Sequence, residues 1–161
     1  MLLSRTFYAK NPLFKVDKKN VLYIAYIGKY NDVDTYKYGK STNVYNREML
    51  SHRQSFPLFE MKHIYPTNLN DQVEVMLGQE LKIRNIHKEL VIKDKKHIEL
   101  FQTTEEYTLP YILGLTEEII KYNESQEKEM RELEMERLRV EKLRLRVRIK
   151  ELDLQLKKII L

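Results

Sequence analysis

Val21-Leu22-Tyr23-Ile24-Ala25-Tyr26-Ile27, the polar stretch Lys29-Tyr30-Asn31-Asp32-Val33-Asp34 and Thr35-Tyr36-Lys37-Tyr38-Gly39 stand almost end to end in the chain. β-branched and aromatic residues of the first run suit a pleated strand, and the turn formers of the second can reverse the chain. The third run then returns as a hairpin partner. Working outward, Lys40-Ser41 closes the hairpin, and a helix is expected from Thr42 or Asn43, both able to cap it, to about Arg53. Phe59 to Tyr65 reads as a third strand, ended by Pro66-Thr67-Asn68-Leu69-Asn70. From Asp71 to about Glu89, Val73, Leu77, Leu81 and Ile83 predict a second helix with Asn68 or Asn70 as its cap. A short apolar segment, Ile98 to Phe101, precedes a third helical stretch in which Thr103 and Glu106 have capping-box spacing. Short strands alternating with helical stretches, with Pro57, Pro66 and Pro110 as punctuation, predict an α/β or α+β domain.

Beyond Gly114 there is neither glycine nor proline, and the composition turns to Glu, Arg, Lys and Leu, as in one long helix. Met135, Leu138, Leu145, Ile149, Leu152, Leu156 and Ile159 follow steps of three and four, with Lys142 breaking the seam. Leu143 to Ile149 also alternates with a strand's period of two, but no turn signal separates it from the helix before it. Val140, Leu143, Val147 and Leu154 broaden the apolar face, which must be covered, and no glycine or proline offers a bend back. A homo-oligomer through residues 117–161 is therefore expected. Residues 124–136 hold six acids and two bases, residues 137–150 seven bases and one acid. Opposite blocks favour antiparallel pairing with a second copy, while a basic helix lying along nucleic acid is the alternative. The expected layout is an N-terminal extension over 1–19, a globular domain over 20–116 and a helical coiled-coil tail over 117–161.

With 161 residues, 42% hydrophobic and 33% charged, the chain can build a core and a wet surface, which excludes disordered and fibrous classes. The absence of cysteine excludes disulfide frameworks, thiolate nucleophiles and cysteine-ligated metals. No apolar run approaches the roughly 20 residues of a membrane span, and the start Met1-Leu2-Leu3-Ser4-Arg5 lacks a signal-peptide apolar stretch. A soluble, intracellular protein without a membrane partner is expected. The net charge of +5 lies mainly in the first 116 residues, which carry 17 basic against 13 acidic residues. Lys82 to Lys88, with Arg84 and His87, and Lys93-Asp94-Lys95-Lys96-His97 read as basic loops, either a solvated face or a phosphate-tracking surface.

The stretch from Leu22 to His52 places phenols, a lysine, a hydroxyl and a guanidinium around one sheet edge, where they could converge on a phosphate. Here the sequence resembles the GIY-YIG nuclease superfamily, and more closely the GIY-YIG-like DNA-binding domains of phages and large DNA viruses. Val21-Leu22-Tyr23 stands where that family has Gly-Ile-Tyr, and Lys37-Tyr38-Gly39 where it has Tyr-Ile-Gly. Lys40-Ser41 matches the small polar turn after the second motif, Arg47 the helix arginine, and His52 a histidine about one turn later. Tyr36-Lys37-Tyr38-Gly39-Lys40-Ser41 is near the Tyr-Lys-Ile-Gly-Lys-Thr of the viral branch, and Glu99-Leu100-Phe101 is similar to its late Glu-x-Phe signature. The resemblance covers roughly residues 20 to 105.

What it implies is an α+β fold, a small mixed or antiparallel sheet flanked by helices, that binds DNA. It further implies phosphodiester hydrolysis with Tyr23, Lys37 and Arg47 as catalytic residues and Glu74 holding one divalent ion, Mg2+ or Mn2+. Tyr38, Gly39, Lys40, Ser41, His52 and Arg53 would contact the phosphates. Such a protein of viral origin would act in the host cytoplasm or nucleus. The second family tyrosine is replaced by Lys37, so a non-catalytic DNA-binding module stands beside the endonuclease, and a scaffold assembling through the tail beside both. Each residue also has a plainer place: Tyr23 as a half-buried strand aromatic, Arg47 as a solvated helix arginine, Glu74 as a surface glutamate, His52 and His63 as packing or surface residues.

Overall fold

The computed structural model describes residues 19–43 and 52–160. Arg47, most of the helix expected between Thr42 and Arg53, and nearly all of the N-terminal extension lie outside the described residues. Strands β1 (Val21–Tyr30), β2 (Val33–Ser41), β3 (Glu60–Pro66), β4 (His87–Ile92) and β5 (Lys95–Gln102) form one antiparallel sheet in the order β3-β1-β2-β5-β4. A single helical turn, Arg53–Ser55, precedes β3, and α1 (Asn70–Ile83) and α2 (Leu109–Ile160) are the two longer helices among the described residues. The fold is α+β.

The reversal after β1 is tighter than the six polar residues predict. Tyr30 pairs with Val33, leaving Asn31 and Asp32 at φ 53° and 62° as a two-residue turn. Left-handed backbone at both central positions matches the right-handed twist of the flanking strands, and Asn and Asp tolerate it. Lys29 and Asp34, expected in the turn, are cross-strand partners.

The same device joins β4 to β5, where Lys93 and Asp94 sit at φ 50° and 59° between the paired Ile92 and Lys95. This hairpin corrects two expectations. The helix from Asp71 does not reach Glu89; α1 stops at Ile83 because Asn85 turns left-handed (φ 57°). Ile86 N–H then bonds the Leu81 carbonyl (3.1 Å) and Asn85 N–H the Lys82 carbonyl (3.0 Å). That is a Schellman end with asparagine in the place glycine usually takes. The stretch Lys93 to His97 is accordingly a turn and the start of a strand, and Lys82 to Lys88 is a helix end and strand start, rather than basic loops.

The third helical stretch and the tail are one helix. Thr103 and Glu106 precede α2 and do not cap it; Thr108 Oγ1 accepts from Tyr111 N–H (3.5 Å), and Pro110 sits in the first turn, where no N–H is needed. Leu143 to Ile149 is helical. The chain forms two units, Met1–Asn123 and Glu124–Leu161. Ile119 and Ile120 belong to the core of the first, and Asn123 Nδ2 donates to Met76 Sδ there (3.1 Å).

Side chains alternate across the sheet, and both faces are covered. Leu22, Ile24, Tyr36, Tyr38 and Phe101 pack with Val73, Leu77 and Leu81 of α1 and with Ile112, Ile119 and Ile120 of α2. Val21, Tyr23, Ala25, Ile27 and Leu100 pack on the opposite face with Phe56 and Phe59. Among the described residues, no helix is long and apolar enough to cross a membrane.

Candidate functional site

The pleat divides the predicted residues into two sets. Tyr23, opposite Gly39 in register, lies on the Phe56 and Phe59 face and is 1% exposed. A Cβ added to Gly39 would fall 2.8 Å from the Tyr23 hydroxyl oxygen and 3.0 Å from Cζ. The space left by the missing side chain is thus filled by the cross-strand ring, a pairing that protects a strand glycine. The Tyr23 hydroxyl shares a buried 2.7 Å hydrogen bond with His52 Nε2, and the imidazole stacks on Phe59 at 4.9 Å between centroids. A phenol and an imidazole in apolar surroundings must satisfy one another, and here they do.

Lys37, two residues before Gly39, is equally withdrawn. Its ammonium contacts Glu99 Oε2 at 2.8 Å from β5, with 7% of the lysine side chain and 43% of the glutamate exposed. His97 packs its ring against Phe56 (4.7 Å), and its Nε2 is buried without a hydrogen-bond partner among the described residues. Burial, and then the charge of Lys37, hold its pKa below that of an ordinary histidine. Ser41 is buried too, its hydroxyl oxygen accepting from Asn43 N–H at 3.0 Å. Arg53 is exposed.

The second set lies toward α1. β5 pairs with β2 only as far as Lys37, so among the described residues the outer edge of β2 carries no strand beyond it. There Lys40 N–H donates to Glu74 Oε1 (2.9 Å), a carboxylate standing where a neighbouring strand's carbonyl would be. The Lys40 ammonium closes the loop, 3.1 Å from Glu74 Oε2 and 2.5 Å from Asp71 Oδ1. Asp71 and Glu74 are three residues apart on α1 and so share a face. Hydrogen bonds to Asp71 and then Glu74 raise the pKa of Lys40. Tyr38 lies under Gly78, whose added Cβ would meet the phenol oxygen at 2.8 Å. Burial, with the charges of Glu99 and Glu74, pushes this phenol far above its ordinary pKa, so it stays neutral and cannot serve as a base near neutral pH.

Tyr23, Lys37 and Ser41 therefore share one sheet face, while Glu74 arrives from the α1 side and ends at the edge of β2. Tyr23 with Lys37 and Glu74 with Lys40 thus belong to separately paired sets, and Arg47, expected to join them, lies outside the described residues. The sequence reading missed Asp71, whose three-residue spacing from Glu74 was its visible signal. It placed Glu99 in a motif without its role as counter-ion to Lys37.

A divalent ion at Glu74 is the cofactor the resemblance implies. Both Glu74 oxygens are engaged by Lys40, and the described residues contain no grouping of three or more His, Cys, Asp or Glu side chains. Mg2+ demands near-octahedral oxygen ligation. Two carboxylates closed around an ammonium suit the lysine they hold, and do not fit a divalent ion.

The basic side chains also divide. Arg84 is committed internally: it donates to the Glu80 carbonyl (3.0 Å) and the Tyr111 hydroxyl (3.2 Å), pairs with the Glu80 carboxylate and lies over the Tyr107 and Tyr111 rings. At the β4–β5 turn, Lys93 Nζ donates to the Gln54 carbonyl at 2.6 Å, which fixes that turn beside exposed Arg53; Lys95 is exposed next in the chain. No family model, curated protein or solved structure matches the chain.

Proposed function

We propose that the globular unit is a non-catalytic DNA-binding module of the GIY-YIG-like kind, carried on a tail through which copies of the chain associate. The observation that supports the DNA reading is the Lys93–Gln54 contact, which seats the hairpin turn carrying the exposed Lys93 and Lys95 against the residue that follows exposed Arg53. Cations held by rigid elements position a phosphate backbone without reading sequence. Pairing supports a non-catalytic module: Tyr23 is bonded to His52, Lys37 to Glu99 and Glu74 to Lys40, so each would have to break an internal contact before touching substrate.

The endonuclease is the second reading, and one observation favours it. The Tyr23–His52 pair is a phenol bonded to an imidazole, an arrangement that can take a proton from an attacking water. Anisotropy with labelled duplex DNA over a salt series tests the binding. The intact chain should bind, and Lys93→Ala with Lys95→Ala should weaken it and flatten the slope of log affinity against log salt by about 2. Absence of salt-sensitive binding overturns the reading. Nicking of supercoiled plasmid in Mg2+ or Mn2+, lost in Tyr23→Phe, would replace it with the endonuclease.

A further inference from the structure

The second unit exposes an apolar stripe and, with it, an instruction for how that stripe is covered. Leu138, Leu145, Ile149, Leu152 and Leu156 of α2 are between 48% and 60% exposed. With Met135 set at position a of a heptad, Leu138, Leu145 and Leu152 fall at d, and Lys142, Ile149 and Leu156 at a. The other apolar side chains do not form a competing seam. Leu133, Val140, Val147 and Leu154 recur at f, but the intervening c positions are Arg137, Arg144 and Glu151, a charge at every second place.

Net charge by block favours antiparallel pairing. The heptad overturns that expectation, because Glu136, Arg137, Arg144 and Lys150 occupy b and c and face away from a partner seated on a and d. Only e and g flank the seam. Glu134, Glu141 and Arg148 are at g; Arg139, Arg146 and Asp153 are at e. In a parallel, in-register pair each g residue meets the e residue five places on in the other helix. Glu134 then meets Arg139, Glu141 meets Arg146 and Arg148 meets Asp153, every pair opposite in sign and every pair made twice. The two antiparallel alignments that overlap the seam most fully set Leu145 against Lys142 or Ile149, and bring Arg139 against Arg146 or Arg146 against itself.

The single helix leaves these groups available. Among the described residues Glu141, Arg146 and Asp153 form no ion pair. Glu134, Arg139 and Arg148 hold only exposed partners on their own helix, Arg137 at 3.8 Å, Glu136 at 3.4 Å and Glu151 at 3.3 Å. Exposed pairs of this kind contribute little and exchange readily. We infer that α2 binds a second copy of itself as a parallel, in-register two-stranded coiled coil over residues 134–156. Leu at d with Ile149 at a favours two strands, and Lys142 at a fixes the register at some cost in affinity.

This inference rests on self-association of the tail, and the test separates the two. The chain has no cysteine, so single substitutions report cleanly. Leu138→Cys and Leu152→Cys, each in the full chain and equilibrated with a glutathione redox buffer, should both form disulfide-linked homodimers. Sedimentation of the unsubstituted chain should show a dimer at micromolar concentration. Glu141→Arg should raise the dissociation constant roughly tenfold, and Glu141→Arg with Arg146→Glu should restore it, as expected for two pairs of about 0.7 kcal/mol each. A dimer that forms no disulfide in either cysteine variant overturns the parallel orientation and leaves association standing. A monomer at micromolar concentration overturns both.

Discussion

The two units use the same apolar side chains in opposite ways. Leu22, Leu77 and Leu81 are fully buried in the first, while Leu138, Leu145 and Leu154 are at least half exposed in the second. A sheet draws its backbone bonds from strands distant in sequence, so forming it already brings covering segments onto both faces. A helix satisfies its backbone within itself and can leave its stripe to another molecule. What a substitution does should therefore depend on the unit that receives it.

The largest effect expected is the smallest chemical change. Gly39→Ala adds one methyl against the Tyr23 ring and should destabilise the globular unit by about 2–4 kcal/mol. Leu145→Ala, which removes three carbons from the tail, should leave the urea midpoint of the globular unit unchanged. Equal effects on that midpoint would dissolve the distinction between the units.

The ion pairs sharpen it. Glu99→Gln leaves the Lys37 charge buried with only a neutral partner and should cost about 1–2 kcal/mol, the partial exposure of Glu99 keeping it well below a fully buried pair. Glu151→Gln breaks the exposed Arg148–Glu151 pair and should cost under about 0.5 kcal/mol. Paired denaturation curves decide it, and a silent Glu99→Gln would mean that Lys37 finds water.

Acid should act on the globular unit, which holds all four histidines. Burial, followed by the charge of Lys82 for His87 and of Lys37 for His97, lowers both pKa values. The unfolded chain then takes up protons first, near pH 6.5, so stability is full above that pH and falls as pH drops toward the folded values. Thermal midpoints at pH 7.5 and 5.5 should show the loss, and His87→Gln with His97→Gln should shrink it. The effect is the smallest of the three because neither ring is deeply enclosed.

How much of this was legible follows the range of the forces. The β-branched and aromatic residues of Val21 to Ile27, with the turn formers after them and the return at Thr35, gave the first hairpin, since strand and turn propensities are local, and the lack of glycine or proline after Gly114 gave the long helix. β4 was hidden because His87-Lys88-Glu89 looks like a continuing charged helix, and the stop signal is an asparagine whose left-handed backbone no residue type announces. Long-range partners were hidden more deeply. Lys37 finds Glu99 62 residues away and Tyr23 finds His52 29 residues away. Nothing in either neighbourhood says that the lysine or the phenol will be turned inward. The heptad charges could be read from the sequence throughout, but only a helix with an uncovered stripe says which of them will matter.

Glu74 also has a meaning outside chemistry at phosphates. Among the described residues the end of β2 is a strip of sheet edge without a neighbouring strand, and exposed edges are templates on which a foreign chain can extend the sheet. By accepting Lys40 N–H, Glu74 removes a donor that an incoming strand would use, and it sets its charge where that strand would lie. Self-association through the tail, as proposed above, would raise the local concentration of such edges. The carboxylate would then be a guard against aggregation, letting molecules tethered through their helices keep their sheets apart.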